Sequence, residues 1–495
     1  MKLIEYFFTV ICFTFCMLGC KTPNGDPVII EPEITLSATP ISFNISAVGD
    51  TSEITITSNT TWEISGNNSW CFTNITKSKD NATIKLFVSA NDVEESRNNT
   101  LTLSATGASD IIITVSQAAK VVVPIEEEPI KPTYIAPDLT GMHTELTAIE
   151  FSKLLGLGWN LGNSLEAISV NNGVYSGNES TWGNPVTSKQ LIDSVKAAGF
   201  NVIRIPISYS HMLEDQTTYK IKWSWKKRVE EVIKYATDND MYAMINIHWD
   251  GGWMNHPDNA HKVAINAKID SLWKQIAIYF RDFDDHLIFA GTNEVGMENT
   301  YGNPTTEYAT VQNSFNQTFV NTVRATGGRN TYRFLAVQSY FTNIDYAVNY
   351  MVMPSDATTD RLMAEVHYYD PWEFCIKTDP PYVTVWSDAT WGKEDWVDTQ
   401  FGNMKSTFID FGIPVLVGEY GVTYRTSLSG IALENHNISR NYYLHYVTGK
   451  ALADGMVPFY WDNGGEGEAL FNRSNGTPEN KGALNAIITA KVSKK

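Results

Sequence analysis

Asp285-His-Leu-Ile-Phe-Ala-Gly-Thr-Asn-Glu294 is an apolar run that ends abruptly in an amide and an acid. Leu287 to Ala290 reads as a short strand buried on both faces, as in a parallel sheet flanked by helices, and Gly291 and Thr292 carry it to a polar tip. A carboxylate at the C-terminal end of a buried strand is where a barrel places a catalytic acid. A lone Glu after a strand is more often an exposed loop residue. The pattern recurs, however, at Ile413-Pro-Val-Leu-Val-Gly-Glu419-Tyr420, and two such ends make a carboxylate pair.

Outward from these two stretches, the chain alternates strands and helices from Thr140 onward. Strands are expected at Leu157 to Asn163, Phe200 to Pro206, Tyr242 to His248, Leu287 to Asn293, Tyr332 to Val337, Arg361 to His367, Ile413 to Glu419 and Val457 to Trp461. Helical spacing falls at Lys189 to Ala198, Trp223 to Asp238, Val263 to Phe280, Gln312 to Ala325, Asp395 to Phe411 and Tyr442 to Ala453. About eight strands over residues 138–492 predict an α/β fold, a (β/α)8 TIM barrel. A doubly wound open sheet competes, but no Gly-rich phosphate loop follows the first strand.

In a barrel, strand C-termini share one rim whatever their sequence separation. That rim would carry Asn163, Arg204, His248, Asn293 with Glu294, His367 with Tyr369, Glu419 and Trp461. Each alone has a structural explanation: Arg204 as a buried ion-pair partner, His248 and His367 as core imidazoles, Trp461 as a barrel plug. Together they are the convergent polar set that an active site requires. Two carboxylates with neither a metal-ligand spacing nor a Ser/His/Asp order point to glycoside cleavage, which implies no metal and no cofactor. One acid must be protonated to assist the leaving oxygen, and the other ionised to meet the developing positive charge. Glu294, preceded by Asn293, suits the acid; Glu419, within reach of Arg204 or Tyr369, suits the nucleophile. Trp182, Trp253, Trp372 and Trp391 fall in loops near strand ends. Trp182 and Trp372, flanked by polar residues, are the candidate sugar-stacking platforms.

The chain has 495 residues, room for a barrel and a smaller domain. Its net charge of -18 excludes a nucleic-acid partner, because no basic patch exists to release counterions. An apolar run from Tyr6 to Leu18 follows Lys2, and Met17-Leu18-Gly19-Cys20 resembles a bacterial lipobox. Residues 1–20 are therefore expected to be a lipoprotein signal peptide with Cys20 as the lipidated residue, which would place the protein at the bacterial cell envelope, on its outer surface. Residues 21–33 form a polar spacer. From 34 to 118, short alternating strands separated by Asn, Gly, Ser and Asp clusters predict an all-β immunoglobulin-like sandwich. Residues 119–137, with four prolines and Glu126-Glu-Glu128, read as a semi-rigid, self-repelling linker. Cys71 and Cys375 fall in different domains, so no disulfide framework is implied.

Motifs in order along the second domain make a resemblance specific: Gly158-Trp-Asn-Leu-Gly-Asn163, Thr181-Trp-Gly-Asn-Pro185, Val202-Ile-Arg-Ile-Pro206, Ile245-Asn-Ile-His-Trp-Asp-Gly-Gly-Trp253, Thr292-Asn-Glu294, His367-Tyr-Tyr-Asp-Pro-Trp-Glu-Phe374, Gly418-Glu-Tyr-Gly421 and Trp461-Asp-Asn-Gly464. This domain resembles glycoside hydrolase family 5, and within it the subfamily four endoglucanases. The first domain resembles BACON-type immunoglobulin-like domains through Trp62, Trp70, Asn91, Arg97 and Ile113-Thr-Val-Ser-Gln117. The resemblance implies retaining hydrolysis of cellulose-type β-glucans or xyloglucan, with Glu294 as acid/base, Glu419 as nucleophile and Asn293 on the sugar 2-hydroxyl. It further implies Arg204 and Tyr369 orienting the nucleophile, His248 and His367 lining the site and Trp461 flooring the cleavage subsite. Two departures stand out: Val295 follows the acid where Pro is usual, and Trp249 follows His248 where many relatives have His. The partners expected are a β-glucan and, through the lipid, a membrane surface; the enzyme is expected to be a monomer. A β-mannanase on the same barrel and a non-catalytic glycan-binding lipoprotein are the competing functions.

Overall fold

The computed structural model describes residues 33–121, 127–465 and 467–490. They form two units that divide after Glu127. The signal-like segment with Cys20 and the spacer through residue 32 lie outside the described residues.

In the first unit, the strands Leu36–Thr39, Asp50–Ser58, Ala82–Val88 and Cys71–Thr73 form one sheet in that order. Ser42–Ile45, Ile111–Gln117, Arg97–Ala105, Thr61–Ser65 and Lys77–Lys79 form the other. Strict alternation buries Ile54, Ile56, Ile84, Leu86, Ile113 and Val115 while their neighbours face out, and the inner faces pack into one core. Trp62 fills that core and donates its indole N–H to the Asp80 carbonyl at 2.8 Å. Trp70 lies half-buried against the Arg97 guanidinium.

The second unit is a closed barrel of eight parallel strands: β1 (Gly158–Leu161), β2 (Val202–Ile205), β3 (Tyr242–Asn246), β4 (Leu287–Ala290), β5 (Leu335–Gln338), β6 (Leu362–Tyr368), β7 (Val415–Tyr420) and β8 (Val457–Asp462), with β8 pairing β1. Outward residues such as Ile203, Ile245, Phe289, Val337, Val366 and Val417 pack in the main core with those of the surrounding helices. Inward residues change character along each strand. Val202, Met244, Ala336, Met363 and Phe459 belong to one apolar cluster, with Phe151 and Leu155 of the helix Ala148–Leu155. Two residues further on, the same columns read Arg204, Asn246, Gln338, Glu365 and Trp461. Period-two geometry therefore stacks a polar layer directly on an apolar one.

β7 needs one adjustment to join that layer. Leu416 lies in the inward cluster, so plain alternation would turn Glu419 outward. The pairing with β6 skips a residue, Val366 opposite Val417 and then His367 opposite Glu419, leaving Gly418 as the extra one. This bulge resets the pleat and aims Glu419 at the mouth.

Part of the expected linker is corrected by the structure. Residues 128–137 belong to the barrel unit and pack against it. Glu128 pairs with Lys226, Lys131 donates to the Tyr279 carbonyl and Asp282 at 2.8 Å each, Arg281 donates to the Pro132 carbonyl, and Ile135 bridges Gly327. Glu128, one of the acids that read as self-repelling, finds an opposite charge on the barrel, and Lys131 finds another. Helix boundaries also differ: Lys189–Ala198 has the expected bounds, whereas the helix before β8 spans Gly430–Ala453 and begins well ahead of Tyr442.

Candidate active site

Arg204 is the hub of the polar layer. Its side chain is fully buried, and each nitrogen has a different task. Nη1 donates to Glu419 at 2.8 Å and to Asn160 at 3.0 Å, Nη2 donates to Asn293 at 2.6 Å, and Nε lies 2.9 Å from a Glu365 oxygen. A guanidinium's fixed fork can hold several groups in one geometry, which an ammonium cannot. Tyr369 donates its hydroxyl to the other oxygen of Glu419 at 3.0 Å. Glu419 is thus held by both oxygens at the end of β7.

Glu294 stands opposite, after β4. Its φ of +49° is a left-handed conformation that costs energy in a non-glycine residue, and its backbone N–H donates to Gln338 Oε1 at 3.1 Å. The side chain is 47% exposed, against 7% for Glu419, so only Glu294 opens broadly to the cleft. His367 lies between the two acids, with Nδ1 2.7 Å from Glu294 and 3.6 Å from Glu419. One atom from each of Glu294, His367 and Glu419 falls within 4.8 Å of the others. With a guanidinium already 2.8 Å from Glu419, this grouping suits a proton-sharing pair of acids better than a cation site.

The electrostatics follow from that crowding. Burial works against a charge on His367, yet Glu419, Glu294 and Glu365 together push its pKa up to about 9. Burial raises the Glu419 carboxyl above its usual value, although the charges of His367 and Arg204 pull the other way. For Glu294 burial acts in the same sense, but the His367 hydrogen bond and charge outweigh it and hold the carboxyl below its usual range. Without a substrate, Glu294 therefore rests as the partner of an imidazolium.

His248 is placed beside this group by β3. Burial, with the charges of Arg204 and His367, holds it well below its ordinary value, so its ring is neutral. Asn246 accepts from the Ile207 N–H, which leaves its amide nitrogen 3.2 Å from Nδ1. That assigns the ring proton to Nε2, on the side where Asn293 Nδ2 lies 3.5 Å away. Two donors then point side by side toward the cleft, a fit for one hydroxyl oxygen. The His248 and Trp461 rings stack nearly parallel, 5.9 Å between centroids.

Of the residues expected from sequence, the structure gathers Arg204, His248, Asn293, Glu294, His367, Tyr369, Glu419 and Trp461 at one mouth. Trp182 is exposed on the loop after β1, and Trp372 is exposed at the start of the short helix Trp372–Cys375 that follows β6, both outside the hydrogen-bonded group. Trp182 donates to the Ile168 carbonyl, and Lys377 faces the Trp372 ring. Trp253 is absorbed into loop packing, donating to Asp250 at 2.7 Å under the Lys268 ammonium. On β1, the partner of Arg204 is Asn160 rather than Asn163. Gln338 and Glu365 were missed in sequence, although each lies two residues beyond an apolar inward position.

Gly418 is constrained as tightly as the acids. A Cβ there would overlap the Glu365 carboxylate, which is buried and ion-paired and so cannot step aside. Gly418→Ala is expected to cost about 1–3 kcal/mol of stability and to displace Glu419. Thermal melts together with kcat on a soluble glucan would check this, and parent-like values for both would contradict it.

A family model described as cellulase, glycosyl hydrolase family 5, matches residues 167–467, and one described as a viral BACON domain matches 35–120. The chain is 44% identical over 490 residues to a xyloglucan-specific endo-β-1,4-glucanase of Bacteroides ovatus, covering 97% of this chain and 95% of that protein. Among solved structures, a Bacteroides ovatus family 5 xyloglucanase in complex with a XXXG heptasaccharide aligns with a TM-score of 0.71 at 43% identity, over 92% of this chain and 99% of that one. A broad-specificity endoglucanase of Clostridium cellulovorans aligns at 0.63 and 33% identity, over 72% and 99% of the two chains.

Proposed function

The chain belongs to glycoside hydrolase family 5, and from that membership and the geometry at the barrel mouth we propose a retaining endo-β-1,4-glucanase that prefers xyloglucan. The observation that carries the mechanism is the short approach of Glu294 to Glu419, within 4.8 Å between facing atoms. Retaining enzymes hold their two carboxyl groups roughly 5–5.5 Å apart, whereas inverting ones leave room for a water at roughly 6.5–9.5 Å.

In the first step Glu419 attacks the anomeric carbon while Glu294 passes a proton to the departing glycosidic oxygen. In the second, Glu294 takes a proton from water, which displaces Glu419 from the sugar. Arg204 and Tyr369 keep the nucleophile oriented, and the Asn293 amide with His248 Nε2–H receives the 2-hydroxyl. Trp461 floors the subsite. Substrate binding itself readies the acid: a sugar chain covers the exposed half of Glu294, raising its affinity for a proton, while the already buried Glu419 changes little.

The preference for xyloglucan is supported by the Bacteroides ovatus relative, which aligns through both units. It is also supported by the aromatics. Among the described residues, the four exposed tryptophans, Trp182, Trp249, Trp372 and Trp391, all lie in the connecting segments that follow β1, β3 and β6, on the same rim. Flat rings there suit stacking on a branched chain. In this reading Cys20 carries the lipid that tethers a monomeric enzyme to the outer face of the bacterial envelope, where insoluble polymers are met.

The test is reducing-sugar release by the signal-free protein from xyloglucan, mixed-linkage glucan, carboxymethyl-cellulose and glucomannan, with the anomer of the first product read by NMR. Xyloglucan is expected to lead by on the order of tenfold, with β-anomer formed first. A lead by glucomannan would identify a mannanase; binding without release would identify a capture protein.

A further inference from the structure

We propose that Glu365 is a positioning residue for this reaction, a third carboxylate beneath the two catalytic acids that keeps His367 and Glu294 supplied with the proton the leaving oxygen needs. The inference rests on the assignment of Glu294 as the acid.

Glu365 is completely buried on the inward column of β6, two residues below His367, and has no surface to offer a sugar. One of its oxygens lies 2.9 Å from Arg204 Nε and 3.5 Å from His367 Nε2. The other imidazole nitrogen, Nδ1, lies 2.7 Å from Glu294. The ring is therefore bracketed by a carboxylate on each nitrogen, which favours the form in which both nitrogens carry protons. The charged and titratable groups facing it are Glu365 on its own strand, Glu294 after β4, Glu419 on β7, Arg204 on β2 and His248 on β3. Three acids against one guanidinium and one neutral imidazole leave the balance negative, and the raised affinity of His367 for its proton agrees with this.

A buried carboxylate is expensive to keep, and this one imposes a second constraint by requiring glycine at position 418. Its place explains the expense. His367 and Glu294 share a short hydrogen bond and titrate as a pair, so the proton is available to the leaving oxygen from whichever of the two holds it. The pair loses that proton on protonating the departing oxygen and regains one from the attacking water. Taking away the charge on Glu365 weakens the pair's hold, so the proton is lost at lower pH and cleavage of unactivated substrates fails there.

The experiment compares the parent with Glu365→Gln and Glu365→Asp on xyloglucan and on a 2,4-dinitrophenyl β-cellotrioside, whose leaving group departs without a proton. For Glu365→Gln, the alkaline limb of kcat/KM on xyloglucan is expected to move down by about one pH unit or more. kcat on the polymer at pH 8 should fall at least about tenfold with KM changed less than about twofold, and kcat/KM on the aryl glycoside should stay within about threefold of the parent. Glu365→Asp should restore part of the alkaline limb. An unmoved limb, or equal losses on both substrates, would overturn the proposal. Should the Gln variant not fold, NMR titration of the His367 ring in the parent decides: charged at pH 8 supports the inference, and a midpoint below 7 overturns it. An inactive parent would instead sink the hydrolase reading itself.

Discussion

Glu419→Ala is expected to lower kcat by on the order of 10⁴-fold or more on every glucan, with the folded protein unharmed. The first half follows from the position of the carboxylate. Both of its oxygens are fixed, by Arg204 Nη1 at 2.8 Å and Tyr369 at 3.0 Å, and a water in its place would be neither held nor charged in the same way. The second half follows from crowding. Glu294, Glu365 and Glu419 converge on one imidazolium and one guanidinium, so removing one acid relieves like-charge repulsion while Arg204 keeps Glu365 as its partner. The melting temperature should equal the parent's or exceed it by a few degrees, the usual sign of an active-site group kept for chemistry. Azide then separates the roles of the two acids. Added to Glu419→Ala with an activated aryl glycoside, it should enter the emptied face and give the α-glycosyl azide. With Glu294→Ala it should intercept the glycosyl-enzyme and give the β-azide. Exchange of these two products between the variants would reverse the assignment of acid and nucleophile.

Both acids proposed for the chemistry, Glu294 and Glu419, were legible because each ends an apolar run, and a barrel brings strand ends together whatever their order. Glu365 and Gln338 were harder to see because they lie inside runs already assigned to the core: Leu362–Tyr368 reads as a strand, and a charge in its middle looks like a packing detail. The rule that finds them needs the inward face to be known. Met363, Glu365 and His367 are successive inward positions, as are Ala336 and Gln338, and a polar residue in the second layer of such a column faces the active site. The bulge at Gly418 was hidden for a related reason, since it depends on the register between β6 and β7 and not on the local residue pattern. The first half of helix Gly430–Ala453 escaped because the side chains it buries, His436, Ser439 and Arg440, are polar and break the apolar period. His436 and Arg440 find their partners in distant carbonyls, at Thr384 and Val422, which no window of sequence shows. At the linker, Glu128, Lys131 and Pro132 find partners on the barrel unit. What local sequence lacked was the matching surface, Lys226 and Asp282 on the barrel.

Arg204→Met is expected to damage fold and chemistry together, which distinguishes it from the acids. The variant leaves Glu365 and Glu419 buried without their guanidinium and strips a donor from both Asn160 and Asn293. Breaking a buried pair from one side typically costs about 3–5 kcal/mol, because the surviving charge is left uncompensated. For a unit of this size that corresponds to a melting temperature lower by roughly 4–7 °C. Without the guanidinium the nucleophile also gains affinity for a proton, so whatever activity survives should shift toward alkaline pH. Arg204→Lys restores the charge but not the fork. One ammonium cannot reach Glu419, Asn293, Asn160 and Glu365 at once, so melting temperature should recover further than kcat does. Calorimetry and initial rates on the three proteins would separate these contributions. If Arg204→Met melted with the parent, Glu365 would have to be protonated in the folded protein. The polar layer would then hold one negative charge fewer, too few to sustain an imidazolium at His367.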